Sequence, residues 1–216
     1  MTKKELINYL LQFAKHRTIF HSEADFQLEF GMFLMKEGFE IRLEKGFKRI
    51  GIYQKIELDM ELNGSIAIEL KYKTAELNVV VNEESFELKQ HGAANLGRFD
   101  AIDDARRVKS LVDSKETKIR QGFTVFLTND PDYWENNGHR TMSKDFALIE
   151  NRNFNKGESL DWNSKSLNVN SVSKNRMSPF SPIITDFPEV VNWFDFSKNN
   201  ISKKGNFRFF VLDVNN

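Results

Sequence analysis

The chain contains no cysteine. That removes disulfides, thiolate zinc sites and cysteine nucleophiles together, and the setting that follows is a reducing cytoplasm. No stretch approaches the roughly 18 consecutive apolar residues of a membrane span. The opening Met1-Thr2-Lys3-Lys4-Glu5 leads into an amphipathic stretch, which is unlike a signal peptide. Neither sign of charge is in excess, because 31 Lys and Arg balance 31 Asp and Glu. A protein that coats DNA is usually basic, so that role is disfavoured, while an enzyme steered by a local basic stripe is not. The four histidines, His16, His21, His91 and His139, form no HxxxH or HExxH pair, so zinc hydrolase chemistry is unsupported. GxGxxG, GxxxxGK[ST] and GxSxG are absent too, which leaves no sign of a dinucleotide fold, a P-loop or a serine hydrolase elbow.

The 216 residues, 40% of them hydrophobic, suffice for one globular domain with a real core and an appended part. Twenty Phe against three Trp and four Tyr point to a Phe-rich core. Lys3 to Lys15 places Leu6, Ile7, Leu10, Leu11 and Ala14 at helical spacing. Ser22 is the natural cap of a second helix, with Asp25 three residues on, an apolar stripe of Phe26, Phe30, Phe33 and Leu34, and Gly38 as its stop. Glu40 to Glu44 alternates as a strand does. Lys55 to Thr74 reads as two strands around Asn63-Gly64. Glu76 to Glu87 suits either a strand or an extended loop. A long helix follows from about Gly92 to Asp113, then a buried strand from Gly122 to Thr128 that ends in the turn Asn129-Asp130-Pro131. Asn151 to Pro182 is a polar excursion or hairpin, and Asn206 to Val214 is a last strand.

Parity decides the register of the Lys55–Thr74 hairpin. A two-residue loop would put Leu58 opposite Glu69 and Asp59 on the other face from Glu69. A shift of one residue gathers Ile56, Leu58, Met60 and Leu62 with Ile66, Ile68, Leu70 and Tyr72. The other face then carries Glu57, Asp59 and Glu61 with Ala67, Glu69, Lys71 and Lys73. The sequence therefore predicts a three-residue loop with Gly64 left-handed, or a bulge near Asp59.

Two carboxylates, Asp59 and Glu69, on neighbouring strands can share a hard cation such as Mg²⁺ or Mn²⁺, and the Leu70 carbonyl between the two key positions adds an oxygen. Lys71 projects to the side of Glu69 and would orient or deprotonate a bound water, or stabilise charge on phosphorus. The same pattern suits a solvated strand face with a Glu/Lys ladder.

The run Ile56-Glu57-Leu58-Asp59, followed by Ile66-Ala67-Ile68-Glu69-Leu70-Lys71-Tyr72, resembles the PD-(D/E)xK, or restriction-endonuclease-like, nuclease superfamily. The resemblance covers roughly Ser22 to Thr128. Ser22-Glu23-Ala24-Asp25-Phe26-Gln27, Gly97-Arg98-Phe99-Asp100 and Phe126-Leu127-Thr128-Asn129-Asp130-Pro131 are similar to a poorly characterised bacterial subgroup. Leu58 stands where the idealised motif has Pro. The resemblance implies catalytic roles for Asp59, Glu69 and Lys71, and a metal held by Asp59, Glu69, Leu70 and an acid from the first core helix. Glu23 matches that acid best and Glu29 is the alternative, although an acid in a first helical turn is favoured by the dipole alone. Gln90, Lys73 and Arg98 are the substrate-side candidates.

Three basic stripes, Lys45/Lys48/Arg49, Lys71/Lys73 and Arg106/Arg107/Lys109, suit a solvated surface first and nucleic acid second. Asp100, Asp103, Asp104, Arg106 and Arg107 read as i,i+3 and i,i+4 helix support, and Trp134, Trp162 and Trp193 as packing. The expected architecture is α/β: a restriction-endonuclease-like α-β-β-β-α-β core (residues 1–130) with a mixed central sheet flanked by helices, plus a C-terminal β-rich extension (131–216). The expected activity is a Mg²⁺- or Mn²⁺-dependent nuclease acting on nucleic acid, DNA first, with no membrane partner and with a homodimer to cut both strands. The rival is a catalytically silent module of the same fold that binds nucleic acid or a protein.

Overall fold

Two N-terminal helices begin where the sequence supplies caps. The protein, a computed structural model, is described over residues 1–135, 143–162, 182–198 and 203–215. Helix α1 spans Lys3–Phe13 and opens with a full capping box between Thr2 and Glu5. Helix α2 spans Glu23–Lys36, and the Ser22 hydroxyl accepts the Asp25 N–H at 3.1 Å. The return bond goes elsewhere: Asp25 accepts from the His21 N–H at 2.8 Å. At the other end Gly38 has φ +95°, and Phe39 and Gly38 donate to the carbonyls of Leu34 and Met35. This double bond pattern satisfies carbonyls that the helix end would otherwise orphan.

Strands β1 (Ile41–Ile50), β2 (Tyr53–Leu62) and β3 (Ile66–Lys73) form an antiparallel meander. A small hairpin follows, of β4 (Leu77–Val81) and β5 (Glu84–Leu88), then helix α3 (Ala94–Asp113) and strand β6 (Gln121–Thr128), which lies parallel to β3. The C-terminal part contains four two-residue strands, β7 (Asn153–Phe154), β8 (Ser159–Leu160), β9 (Ile183–Ile184) and β10 (Glu189–Val190), then β11 (Phe194–Ser197) and β12 (Phe207–Asp213). The central sheet is six-stranded and mixed, in the order β1-β2-β3-β6-β12-β11. Residues beyond 130 thus complete the same sheet. The β4–β5 hairpin is an addition to the expected helix–three strands–helix–strand order, and it settles the open reading of Glu76 to Glu87. The polar 151–182 segment lies mostly outside the described residues. Among the described residues no helix is long and apolar enough to cross a membrane.

Two cores sandwich the sheet. On one side Leu6, Leu10, Phe13, Phe26, Phe30 and Leu34 of α1 and α2 bury Ile66, Ile68, Leu70 and Tyr72 of β3. On the other side Ile102, Ala105, Val108 and Leu111 of α3 pack with Ala67, Phe126 and Phe210. Strand β6 is buried on both faces, as its apolar run predicts. Gly122 is where α3 crosses closest: a Cβ there would stand 2.4 Å from Val108 and 2.8 Å from Val214.

The β2–β3 register pairs Leu62 with Ile66, Glu61 with Ala67 and Met60 with Ile68. The loop is therefore three residues, with Asn63 at φ 50° and Gly64 at φ 69°, as parity predicts. One part of that expectation needs correcting. Met60 and Leu62 join the core under α1 and α2, but Ile56 and Leu58 join the core under α3. Alternation along β2 breaks at Asp59, opposite Glu44, which itself has φ 52°. Gln27 of α2 pins this break, donating to Glu44 Oε1 and to the Asp59 carbonyl, each at 2.7 Å.

Candidate active site

Beyond Met60 and Ile68 the two strands part, which leaves outward N–H groups of β3 without a ladder partner. Carboxylates take the ladder's place. Asp59 Oδ2 accepts the Leu70 N–H at 2.6 Å, and Glu23 Oε2 accepts the Tyr72 N–H at 2.7 Å. Asp59 reaches the edge from the broken strand, and Glu23 from the first turn of α2. In extended backbone the C=O of a residue leaves on the same side as its N–H, so the Leu70 carbonyl also faces this gap.

Glu69 and Lys71 alternate with these residues and turn toward α3. There Arg107 bridges two acids: one Nη stands 3.1 Å from Glu69 Oε1 and the other 2.8 Å from Asp104 Oδ1. Lys71 Nζ lies 3.2 Å from Asp104 Oδ2 and 3.8 Å from Glu23 Oε1. Glu69 and Asp104 are each only 4% exposed. Four carboxylates and two cations thus meet in one notch, buried except at Glu23, whose side chain is 41% exposed, and full ionisation leaves two negative charges in excess.

The electrostatics follow from that imbalance. Burial pushes the Asp59 carboxyl up to about 7; Glu23 and Asp104 add to the shift, while the Leu70 N–H and Lys71 oppose it. Burial, then Asp104 and Asp59, also raises Glu69 well above the usual carboxylate range. Burial alone would lower the Lys71 ammonium, but Asp104, Glu23 and Glu69 outweigh it and hold the lysine protonated.

Among the described residues no group of three or more His, Asp or Glu side chains stands ready to hold a metal ion. Asp59 is engaged by a backbone N–H, and Glu69 and Asp104 by Arg107. The donor set nevertheless fits a hard divalent cation in kind. All its atoms are oxygens, its surplus charge equals that of the ion, and the buried Glu69 Oε2 has no hydrogen-bond partner among the described residues.

The structure brings together Asp59, Glu69, Leu70, Lys71 and Glu23. Glu29 stands apart, 4.0 Å from Arg17. Lys73, two residues past Lys71, lines a groove with Glu23, His21 and His91. Gln90 lies before α3 and donates to Asp130 Oδ2 at 3.2 Å. Arg98 turns inward. It is 3% exposed, donates to the Asp132 carbonyl and stacks its guanidinium over Tyr133. The Arg106/Arg107/Lys109 stripe is spent internally as well, on Asp103, on Glu69 and Asp104, and on Asp113.

Asp104 and Arg107 are the site residues that helix-support reasoning passed over. The signal was present: Asp104 falls on the stripe Ala101, Ala105, Val108 that α3 buries, a costly place for a lone acid. Gln27, which fixes the Asp59 backbone, gave no signal of its own. No protein-family model, no curated protein and no solved structure matches the chain.

Proposed function

We propose that the protein is a Mg²⁺- or Mn²⁺-dependent phosphodiester hydrolase that cuts nucleic acid, built on a restriction-endonuclease-like core. The observation that supports this most is the surplus of buried carboxylate at the open edge of β3, with a lysine at its rim. An ordinary charged strand face would place these groups in water, where no pKa would move far. Here Asp59 is raised to about 7 and Glu69 is 4% exposed.

In this reading Asp59, Glu69, the Leu70 carbonyl and Glu23 would hold the ion. A divalent ion in such a place lowers the pKa of water and offsets charge on a phosphoryl oxygen. Lys71, kept protonated by its neighbours, donates to a non-bridging phosphate oxygen and stabilises the charge that builds there. It is not the proton acceptor. Asp104 holds that ammonium in place at 3.2 Å. Arg107 sets its one positive charge between Glu69 and Asp104. The substrate is DNA first, and the assembly is a homodimer.

The arrangement around Arg107 also favours a second reading. A module in which Arg107 and Lys71 permanently occupy the acids in place of an ion would bind a nucleic acid or protein partner without cutting.

Cleavage of DNA and RNA oligonucleotides with Mg²⁺ or Mn²⁺ separates the two. Asp59→Asn keeps an acceptor for the Leu70 N–H, and Lys71→Met removes the ammonium while keeping an apolar stem of similar length. Each is expected to lower a metal-dependent rate by roughly 10²–10³-fold. Cleavage that both variants retain in full would end the hydrolase reading, and an inert wild type would favour the silent module.

A further inference from the structure

Beside the carboxylate notch runs a groove of about 410 Å³. It is lined by Glu23 of α2 and by Tyr72, Lys73 and Thr74 at the end of β3. The β4–β5 hairpin and the segment after it supply a wall, with Glu87, Lys89 and His91 in the lining. His21 lines it too, stacked on Phe86 at 4.6 Å and paired with Glu84 at 2.8 Å.

The wall is built, not draped. Thr74 straps the Lys89–His91 segment to β3 through three bonds. Its hydroxyl donates to the Lys89 carbonyl at 2.7 Å, its N–H to His91 Nδ1 at 3.1 Å, and its carbonyl accepts the His91 N–H at 2.7 Å. Because His91 Nδ1 accepts, the ring proton sits on Nε2, so the ring presents a donor on its other edge. Burial and the Lys73 ammonium lower the His91 pKa, which keeps that tautomer neutral.

The charges here are unspent. Arg17, Lys71 and Arg107 are all committed to acids. Among the described residues neither Lys73 nor Lys89 has an ion-pair partner. The same lining holds Glu23 and Glu87, so the two unpaired ammoniums offer discrete phosphate positions on a groove of balanced charge. The volume falls within the about 300–1,000 Å³ that encloses a small ligand. That is the scale of one nucleotide.

We propose that this groove binds an unpaired polynucleotide strand, with Lys73 and Lys89 on successive phosphates and His91 donating from the wall, and leads that strand to Glu23. The delivery step rests on the hydrolase reading, whereas the binding does not. The substrate is then a single strand, a flap or a frayed end, and the β4–β5 hairpin excludes continuous duplex.

Fluorescence anisotropy of labelled single-stranded and duplex oligonucleotides, in chelator and over a series of salt concentrations, tests this apart from any cleavage. Wild type should bind single-stranded DNA or RNA more tightly than duplex. Lys73→Gln and Lys89→Gln should each weaken binding severalfold and flatten the log–log salt slope by about 0.7, the value for one phosphate contact on a single strand. Lys118→Gln, exposed in the loop between α3 and β6, should change neither. The proposal is overturned by a preference for duplex, by unchanged slopes in both groove variants, or by an equal loss in Lys118→Gln. Loss of cleavage with lysine-dependent binding intact would count against the hydrolase alone.

Discussion

Arg107 holds Glu69 at 3.1 Å and Asp104 at 2.8 Å, so one guanidinium is shared by two buried acids that come from different elements. Removing it strands Glu69 and leaves Asp104 with Lys71 alone, 3.2 Å away. Breaking a buried pair from one side costs about 3–5 kcal/mol, and the quarter of the Arg107 side chain that is exposed moves the expectation for Arg107→Ala down to about 2–3 kcal/mol. Millimolar Mn²⁺ should restore much of this, because the ion supplies the charge that the arginine took away. Chemical denaturation of wild type and variant, with and without the ion, reads both effects. A variant as stable as wild type in chelator would mean that the notch is wetter than its burial indicates.

Asp59 gives the pH dependence its sign. Its folded pKa, about 7, lies above its ordinary value of 3.8, so the folded state holds the proton more tightly than the unfolded chain. The stabilisation is complete below pH ~4 and is lost as pH rises through about 7. Wild type without metal should therefore lose on the order of 2 kcal/mol between about pH 5 and pH 8, relative to Asp59→Asn, which cannot titrate. Glu69 acts in the same direction, and a bound divalent ion should flatten the slope. Urea denaturation across that pH range is the measurement. A slope equal in wild type and Asp59→Asn would remove Asp59 as its source.

Gly122 reports on the α3–β6 contact that holds Asp104 and Arg107 over the sheet. A Cβ there would come within 2.4 Å of Val108, 2.8 Å of Val214 and 2.9 Å of Val112. Gly122→Ala should cost about 1–3 kcal/mol through overpacking. Because the nearest obstacle is a methyl group of Val108, Val108→Ala in the same chain should return part of that loss, which a double-mutant cycle would read as coupling. Independent, additive losses would show that α3 shifts as a body instead.

Side-chain parity carried much of this site into the sequence. The requirement that Met60, Leu62, Ile66 and Ile68 share a buried face forced the three-residue loop, and the loop places Glu69 and Lys71 on the opposite face. Parity failed at Ile56 and Leu58, because the break at Asp59 depends on Gln27 reaching from α2 to the Asp59 carbonyl. No local pattern encodes such a contact. The same limit explains Asp104 and Arg107. At i,i+3 spacing they support a helix in isolation, and only the packing of α3 on β3 turns the pair toward Glu69. The β4–β5 hairpin was obscured by Asn82 and Glu83, of which only Asn82 is a common left-handed turn residue, although both have positive φ.

Glu23 and Glu29 lie within one helix of 14 residues, and the structure separates them cleanly. Glu23 accepts the Tyr72 N–H at 2.7 Å and stands 3.8 Å from Lys71, whereas Glu29 keeps company with Arg17. Glu23→Gln retains an oxygen for the Tyr72 N–H, so the fold should hold while one negative charge leaves the notch. At a concentration about a hundredfold above its dissociation constant, an ion that binds only the folded state adds about 2.7 kcal/mol, or roughly 5–10 °C in melting temperature for a chain of this size. Wild type and Glu29→Gln should show that full shift with Mn²⁺, and Glu23→Gln should lose half of it or more. The contrast works because both variants remove one carboxylate from the same helix, so any general effect of charge on α2 cancels. If Glu29→Gln loses the shift and Glu23→Gln keeps it, the ion sits on the Arg17 side of α2 and the notch at Asp59 is not its place.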